Sequence, residues 1–448
     1  MNNPARIASQ AEHCAKAVAN VLVDTLIKRK PADRSLSSLY FQHREFGSRD
    51  RKLISETLFS TLRWWGWLKN LAPKKFVAAM EKQSEDPDLD FPLSQFFLIF
   101  SLAWYLEGKN ELPPAANLWF EEAGGKRDDI KFLQDDAQAL LRKRYLKPFD
   151  NTQLNDLDLM PSWALKHLNL DNQELDVLLD SLQKRPPVWL RLQTNDQEKV
   201  LQELKQNDCR AQLHQTLANA VRLDFVGGNL KALDSFRKGL FEIQDIASQC
   251  VAYICNPKPG QQWWDACAGG GGKTLHLATL MQNKGSVLAS DIRTHKLQEL
   301  KLRARRAQFP NIRYKEWKGK DMPTFKNLFD GVLVDTPCSC SGTWRRNPDL
   351  RWTTLENEIP DYATLQAQLL ANAAKTVKPN GTLVYSTCSM FVDENINVVN
   401  DFLQANKSFE LQPFTCPLTQ KSTDGTNQIW YWDADCDAMF TAKFVRVN

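Results

Sequence analysis

Two apolar runs in the C-terminal half of the chain each end in a thiol. Gly331-Val332-Leu333-Val334 stops at Asp335, and Thr336, Pro337 and Cys338 follow. Thr382-Leu383-Val384-Tyr385-Ser386 runs into Thr387 and Cys388. Short runs of this kind read as buried parallel strands, and Pro337 cannot continue a ladder. In open α/β sheets the ligand crevice lies outside the carboxyl ends of the strands. If the two strands are neighbours, Cys338, Cys388 and Asp335 open into one crevice. A free cysteine is usually a small buried hydrophobe, but two at matching strand ends beside an acid form a candidate reactive set. Cys340 lacks such a frame and reads as structural.

A thiolate is a strong nucleophile that adds to electron-poor carbons. Ring position 6 of cytosine is such a carbon. Addition there makes position 5 nucleophilic and able to take a methyl group. Removal of the position-5 proton then expels the thiol. A carboxylic acid hydrogen-bonded to ring nitrogen 3 stabilises the charge of the adduct.

A glycine run stands upstream, in Asp265-Ala266-Cys267-Ala268-Gly269-Gly270-Gly271-Gly272-Lys273-Thr274. Glycines let a backbone approach a ligand closely, and the helix that follows offers free amides. A phosphate-binding P-loop needs a glycine five positions before Gly272, where Cys267 stands, so that spacing fails. Asp291 ends the next strand, about where an acid meets a ribose diol. The pattern implies a nucleoside-bearing cofactor and leaves a dinucleotide and S-adenosylmethionine both open.

Those residues need elements to hold them. From Ala5 to about Arg142 apolar residues recur at helical steps, as in Ala15-Val18-Val21-Leu22-Leu26. A small α/β segment follows between about 185 and 240, with strands at Val188–Leu192 and Ala220–Phe225. From Gln261 strands and helices alternate, which predicts a doubly wound, mostly parallel sheet. The tail, Ile429–Trp432 and Met439–Val447, reads as a hairpin. The expected division is a helical domain over 1–145, a linker and small α/β subdomain over 146–240, and a catalytic domain over 241–448. Arg345, Arg346 and Arg351, interleaved with Trp344 and Trp352, suit phosphates and stacked bases.

Composition sets the frame. The chain has 448 residues, 43% hydrophobic and 25% charged, with net charge +4. That mild basicity suits an anionic partner. Its ten cysteines include no CxxC pair, and the six histidines do not cluster with them. Reduced thiols, a cytoplasmic location and no metal site are expected. No apolar stretch is long enough for a membrane span.

Three motifs resemble those of the Sun-type (RsmB-like) cytosine-5 RNA methyltransferases: Asp265 to Thr274, Asp335-Thr336-Pro337-Cys338 and Ser386-Thr387-Cys388-Ser389. Gln244 to Gln249, Arg345 to Asp349 and Asp435 to Phe440 support the match, which covers about Pro161 to the C-terminus. The N-terminal helices, from Gly47 to Trp65, resemble the NusB-like domain of the ribosomal-RNA branch. The resemblance implies an α/β catalytic domain of the S-adenosylmethionine-dependent type. It implies Cys388 as nucleophile, Cys338 as the group that releases product, and Asp335 against the cytosine edge. It also implies that Cys267, Ala268, Gly269, Gly270, Gly271, Gly272 and Lys273 wrap the methionine part of S-adenosylmethionine while Asp291 holds its ribose. The substrate would be RNA, with ribosomal RNA first, and the protein a monomer. The chain departs from the family at three places. Glycine replaces a proline within the run, Lys318 or Asp321 stands for the usual adenine-binding aspartate, and Gln193 for an asparagine. Two other readings stay open: a dinucleotide-dependent oxidoreductase with a redox cysteine pair, and a non-catalytic RNA-binding assembly factor.

Overall fold

The computed structural model describes residues 4–82, 91–108, 112–125, 155–317 and 328–447. Lys318 and Asp321 lie outside the described residues, as does the end of the expected helical region. The chain forms two compact units. One comprises Met1–Lys166, Leu170–Arg185 and Trp344–Thr354, and the other His167–Asn169, Pro186–Thr343 and Leu355–Asn448. Trp344–Thr354, which sequence contiguity puts with the catalytic domain, therefore belongs to the helical unit.

In the first unit, Pro4–Leu22 is an amphipathic helix that buries Cys14, Ala15, Val18, Val21 and Leu22. This is the stripe expected of three- and four-residue spacing. Helix Ser94–Leu106 is apolar nearly all round and buries residues on every side, which makes it the central element. Two of the buried indoles find acceptors: Trp104 Nε1 donates to Thr57 Oγ1 at 2.9 Å, and Trp119 Nε1 to the Ala11 carbonyl at 2.9 Å. Gly66 permits a close approach, since a Cβ there would fall 1.9 Å from the Asp158 carbonyl oxygen.

Two of the three arginines expected to hold RNA are part of this unit's interior. Arg351 is fully buried and Arg345 nearly so. Arg351 donates to the carbonyls of Leu159 at 3.0 Å, Leu182 at 2.9 Å and Arg63 at 3.2 Å. Arg345 Nε donates to the Lys184 carbonyl at 3.3 Å. Arg63 and Leu182 lie in the last turns of helices Ser48–Arg63 and Asn172–Gln183. Such carbonyls have no partner within their helix, and the Arg351 fork supplies them. An enclosed guanidinium cannot meet a phosphate, so the RNA role expected of Arg345 and Arg351 is replaced by a structural one. Arg346, between them, is exposed.

The second unit carries two sheets. The smaller comprises β1 (Val188–Leu192), β2 (Arg210–Leu213), β3 (Ala220–Phe225) and β4 (Phe241–Ile243), antiparallel in the order β2-β3-β1-β4. The larger contains β5 (Gln262–Asp265), β6 (Ser286–Asp291), β7 (Ile312–Glu316), β8 (Phe329–Asp335), β9 (Val377–Thr387), β10 (Phe409–Leu411), β11 (Thr426–Ile429) and β12 (Met439–Arg446). Its order is β10-β12-β9-β8-β5-β6-β7, with β11 also on β12. Strands β9 through β7 are mutually parallel, and β10, β11 and β12 are antiparallel additions. Apolar clusters cover the large sheet, one around Trp263, Leu277 and Leu300, another around Trp264, Leu370 and Phe402. The second unit is thus the doubly wound, mostly parallel sheet, joined to a small α/β subdomain. The tail hairpin forms with β11 ending at Ile429 and a short helix, Tyr431–Ala434, before β12.

The sequence of strand positions reverses between β5 and β8. From β5 the chain steps outward through β6 to β7, then returns to place β8 on the other side of β5. Crevices form at such switch points. Asp265 and Asp335 end the two strands that flank this one.

Candidate functional site

Register brings the two thiol loops together. On neighbouring parallel strands Asp335 stands opposite Ser386, and Ser386 Oγ donates to Asp335 Oδ1 at 2.9 Å. Three residues beyond Asp335 and two beyond Ser386, the sulfurs of Cys338 and Cys388 lie 3.4 Å apart. Cys338 is buried and Cys388 partly open. Lys273 Nζ donates to Asp335 Oδ2 at 2.7 Å, so the first turn of helix Gly272–Leu280 reaches the same acid. Asp335, Cys338, Cys388 and Lys273 therefore meet around one point.

Cys340 belongs here too. Its sulfur and those of Cys338 and Cys388 all lie within 4.8 Å of one another, which overturns its reading as a structural bystander. The signal missed was backbone conformation, since Cys340 has φ of +56°, a region that side-chain-bearing residues seldom adopt.

The thiols rest in their protonated forms. Contacts with Cys340 and with Cys388, and then burial, push Cys338 well above the ordinary thiol range. The contact with Cys338 pulls Cys388 down, but Cys340, burial and the charge of Asp335 outweigh it and hold Cys388 well above that range as well. Burial draws the Lys273 ammonium down, yet the pairing with Asp335 prevails and leaves it raised. A lysinium at the strand ends is thus secured by an acid.

Glu394 holds the two loops in place, and nothing in its local sequence announced it. Its Oε1 accepts from the Ser339 amide at 2.8 Å and from Gln366 Nε2 at 3.0 Å. Its Oε2 accepts from the hydroxyls of Ser339 and Ser389, each at 2.5 Å. One carboxyl group therefore binds the residue after Cys338 and the residue after Cys388. Gly342 completes the tie. Its amide donates to the Cys388 carbonyl at 2.9 Å, and a Cβ there would fall 2.3 Å from the Ala438 carbonyl oxygen.

The glycine run bends as its composition demands. Gly269 and Gly271 have φ of +52° and +88°, and a Cβ on Gly271 would strike Leu300 Cγ at 2.4 Å. Cys267 and Ala268 are buried beneath the turn, and burial holds the Cys267 thiol well above its ordinary range. Behind the turn, Arg191, which the sequence reading did not single out, is enclosed and donates to Gln244 Oε1 at 2.6 Å and Gln193 Oε1 at 2.8 Å. Gln193, in the place of the expected asparagine, also donates to the Gly239 carbonyl at 3.0 Å.

The residues fit a zwitterionic, nucleoside-bearing cofactor at two points and resist it at one. Asp265 Oδ1 is buried and accepts no hydrogen bond, an open place for an ammonium group. Burial lifts this carboxyl to about 7 against the pull of the Thr274 hydroxyl. The start of helix Gly272–Leu280 suits a carboxylate. Asp291, expected to hold the ribose, is already engaged. It accepts from the Gly269 amide at 2.8 Å, the Arg293 amide at 2.8 Å, and Arg293 Nε and Nη2 at 3.0 and 3.1 Å. A carboxylate has about four lone-pair sites. The Arg293 guanidinium must therefore swing aside to admit a diol, and with half its surface open it is free to do so.

Residues 252–445 match a family described as 16S rRNA methyltransferase RsmB/F. Over 443 residues the chain is 28% identical to a ribosomal RNA small subunit methyltransferase B of Yersinia pestis bv. Antiqua (strain Angola), spanning 96% of this chain and 97% of that one. Among solved structures it is similar to PH0851, with TM-score 0.73 at 22% identity, covering 99% of each chain. It is also similar to NSun6 from Pyrococcus horikoshii with SFG, with TM-score 0.54 at 19% identity, covering 62% of this chain and 95% of that one. The two structural likenesses establish the fold.

Proposed function

We propose that this protein, whose residues 252–445 match the family described as 16S rRNA methyltransferase RsmB/F, methylates carbon 5 of a cytosine in small-subunit ribosomal RNA through a covalent cysteine adduct. The observation that carries this reading is the pair of strand-end sulfurs, 3.4 Å apart, beside Asp335. S-adenosylmethionine supplies the methyl group. Asp265, the helix start at Gly272 and, once Arg293 withdraws, Asp291 hold it at the switch point.

Cys388 is the nucleophile. Its proton passes to solvent, its sulfur bonds to carbon 6 of the ring, and the electron pair of the 5,6 double bond is displaced through the conjugated ring toward nitrogen 3. The Lys273–Asp335 pair holds a proton at that edge and lends it to nitrogen 3 as charge develops. After carbon 5 is methylated, Cys338, its own proton first given up to solvent, takes the carbon 5 proton as a thiolate; the 5,6 double bond re-forms, Cys388 leaves carbon 6 as a thiolate, and nitrogen 3 returns its borrowed proton to the Lys273–Asp335 pair. Glu394 and Gly342 contribute by fixing the two loops, so the sulfurs keep one geometry through addition and release. Arg346, exposed on the helical unit, is the arginine of the three left to contact RNA phosphate.

The test is transfer of labelled methyl groups to small-subunit rRNA transcripts, followed by nucleoside analysis. Label in 5-methylcytidine is expected with the native protein and none with Cys388→Ala. Cys338→Ala is expected to accumulate a covalent protein–RNA adduct. Adduct accumulation with Cys388→Ala instead would reverse the two roles, and label confined to another base would refute the reading.

A further inference from the structure

The chemistry proposed for this site calls for two thiols, and the site holds three. Among the described residues, Cys338, Cys340 and Cys388 are the metal-ligating side chains that converge, each sulfur within 4.8 Å of the others and those of Cys338 and Cys388 3.4 Å apart. Thiolates bind a d10 ion such as Zn²⁺ at about 2.3 Å, which sets three such sulfurs about 4 Å from one another. The observed spread brackets that spacing, so closing the sulfurs onto an ion takes rotations of side chains and no movement of strands.

The backbone prepares the third ligand. Cys340 adopts the left-handed conformation, φ +56°, at a cost of about 1 kcal/mol or more for a residue with a side chain. Its carbonyl accepts from the Thr343 amide and the Thr343 hydroxyl, each at 2.9 Å, which pins the turn. The Gly342 amide, two residues on, is tied to the Cys388 carbonyl. The loop bearing Cys338 and Cys340 is therefore anchored to the loop bearing Cys388 on both flanks, since Glu394 joins Ser339 to Ser389. Cys340 and Cys388 are partly exposed while Cys338 is buried, which leaves an entry path.

We propose that Cys338, Cys340 and Cys388 form a binding site for a soft d10 metal ion of the Zn²⁺ class, which, by occupying the nucleophile, holds the protein in a reversibly inactive state. Three thiolates select such ions over hard ones. Binding displaces the thiol protons and leaves one coordination position for water or an external thiol. Ion and cytosine then exclude one another, because each requires the Cys388 sulfur. The inhibitory consequence rests on the reading of Cys388 as nucleophile. The metal site itself does not.

The experiment uses the full chain, reduced and metal-free, with neither RNA nor cofactor. Co²⁺ is titrated in as a spectroscopic probe and then displaced by Zn²⁺. One equivalent is expected to bind with thiolate-to-cobalt charge-transfer absorption, and Zn²⁺ to abolish it. Cys340→Ser and Cys340→Ala are each expected to weaken binding at least tenfold, while S-adenosylmethionine affinity stays as in the native protein and Zn²⁺ inhibition is read relative to each variant's own metal-free rate. Zn²⁺ inhibition of transfer should weaken by the same factor in both variants, and a chelator should restore native activity. Absence of the charge-transfer band, or equal Zn²⁺ affinity in native protein and both Cys340 variants, would overturn the site. Absence of methyl transfer by the reduced, metal-free native protein, with the band seen on adding Co²⁺, would overturn the functional reading and leave the metal site standing.

Discussion

Replacing Glu394 by glutamine and by alanine separates geometry from charge at the tie between the thiol loops. The two oxygens of Glu394 face different donors. Oε1 meets the Ser339 amide and Gln366 Nε2, which can only donate. Oε2 meets two serine hydroxyls, which can turn to accept. A glutamine with its oxygen at the first position and its amide at the second satisfies every group, so Glu394→Gln should cost about 1 kcal/mol or less. In Glu394→Ala the hydroxyls re-pair, since Ser389 Oγ lies 3.2 Å from Ser339 Oγ and 3.1 Å from Ser341 Oγ. Gln366 Nε2 keeps the Pro337 carbonyl at 2.9 Å. The buried Ser339 amide is left without an acceptor beside a small void, which costs about 2–4 kcal/mol. Burial raises the Glu394 carboxyl above its ordinary value. A raised acid favours the folded state fully below the unfolded pKa and loses that contribution as pH rises through its folded value. Glu394→Gln mimics the neutral acid, so the difference in stability between it and the native protein should move in the variant's favour as pH rises through that window. Urea unfolding across pH reads the stabilities, and single-turnover methyl transfer reads the loop geometry. Equal destabilisation by glutamine and alanine, with no pH dependence in the difference, would refute the reasoning.

Other outcomes follow from the same coordinates. With Cys388 resting as a raised thiol, single-turnover methyl transfer should climb about tenfold per pH unit through the neutral range, and a flat profile would deny thiolate formation. Arg293→Ala frees two acceptor positions on Asp291 and should tighten S-adenosylmethionine about fivefold, or about 1 kcal/mol; weaker binding by calorimetry would show that the guanidinium itself holds the ligand. Donation of the cofactor's ammonium to Asp265, now lifted to about 7 by burial, favours the ionised acid, so binding at about pH 6 should release a proton, visible as a dependence of binding heat on buffer. Arg351→Ala strips acceptor-bound donors from the interior and should cost about 3 kcal/mol or more with no change in the salt slope of RNA binding, whereas Arg346→Ala should reduce that slope by about one.

The sequence by itself carried the local facts. Hydrophobic runs of strand length, the glycine run and the acids at strand ends are properties of short windows. They placed Asp265, Asp335, Cys338 and Cys388 at the carboxyl ends of parallel strands before any coordinates. The alternation of strand and helix carried the sheet class, because neighbours in a doubly wound sheet are built one unit at a time. What the chain could not disclose was whatever depends on residues far apart in sequence. Arg345 and Arg351 sit in a loop whose composition suits RNA, yet they point into the helical unit, where unsatisfied helix-end carbonyls claim them. Asp291 looks available for a ribose until Arg293 is seen to occupy its lone pairs. Glu394 is an ordinary acid in an ordinary turn until two serines from two loops arrive at one of its oxygens. Cys340 became part of a three-sulfur cluster only because its backbone turns left-handed and strand register sets Cys388 against Cys338, fifty residues away in the chain. Strand identity is written in side-chain period, but which side chains meet is decided by register and by the burial that makes each polar group find a partner.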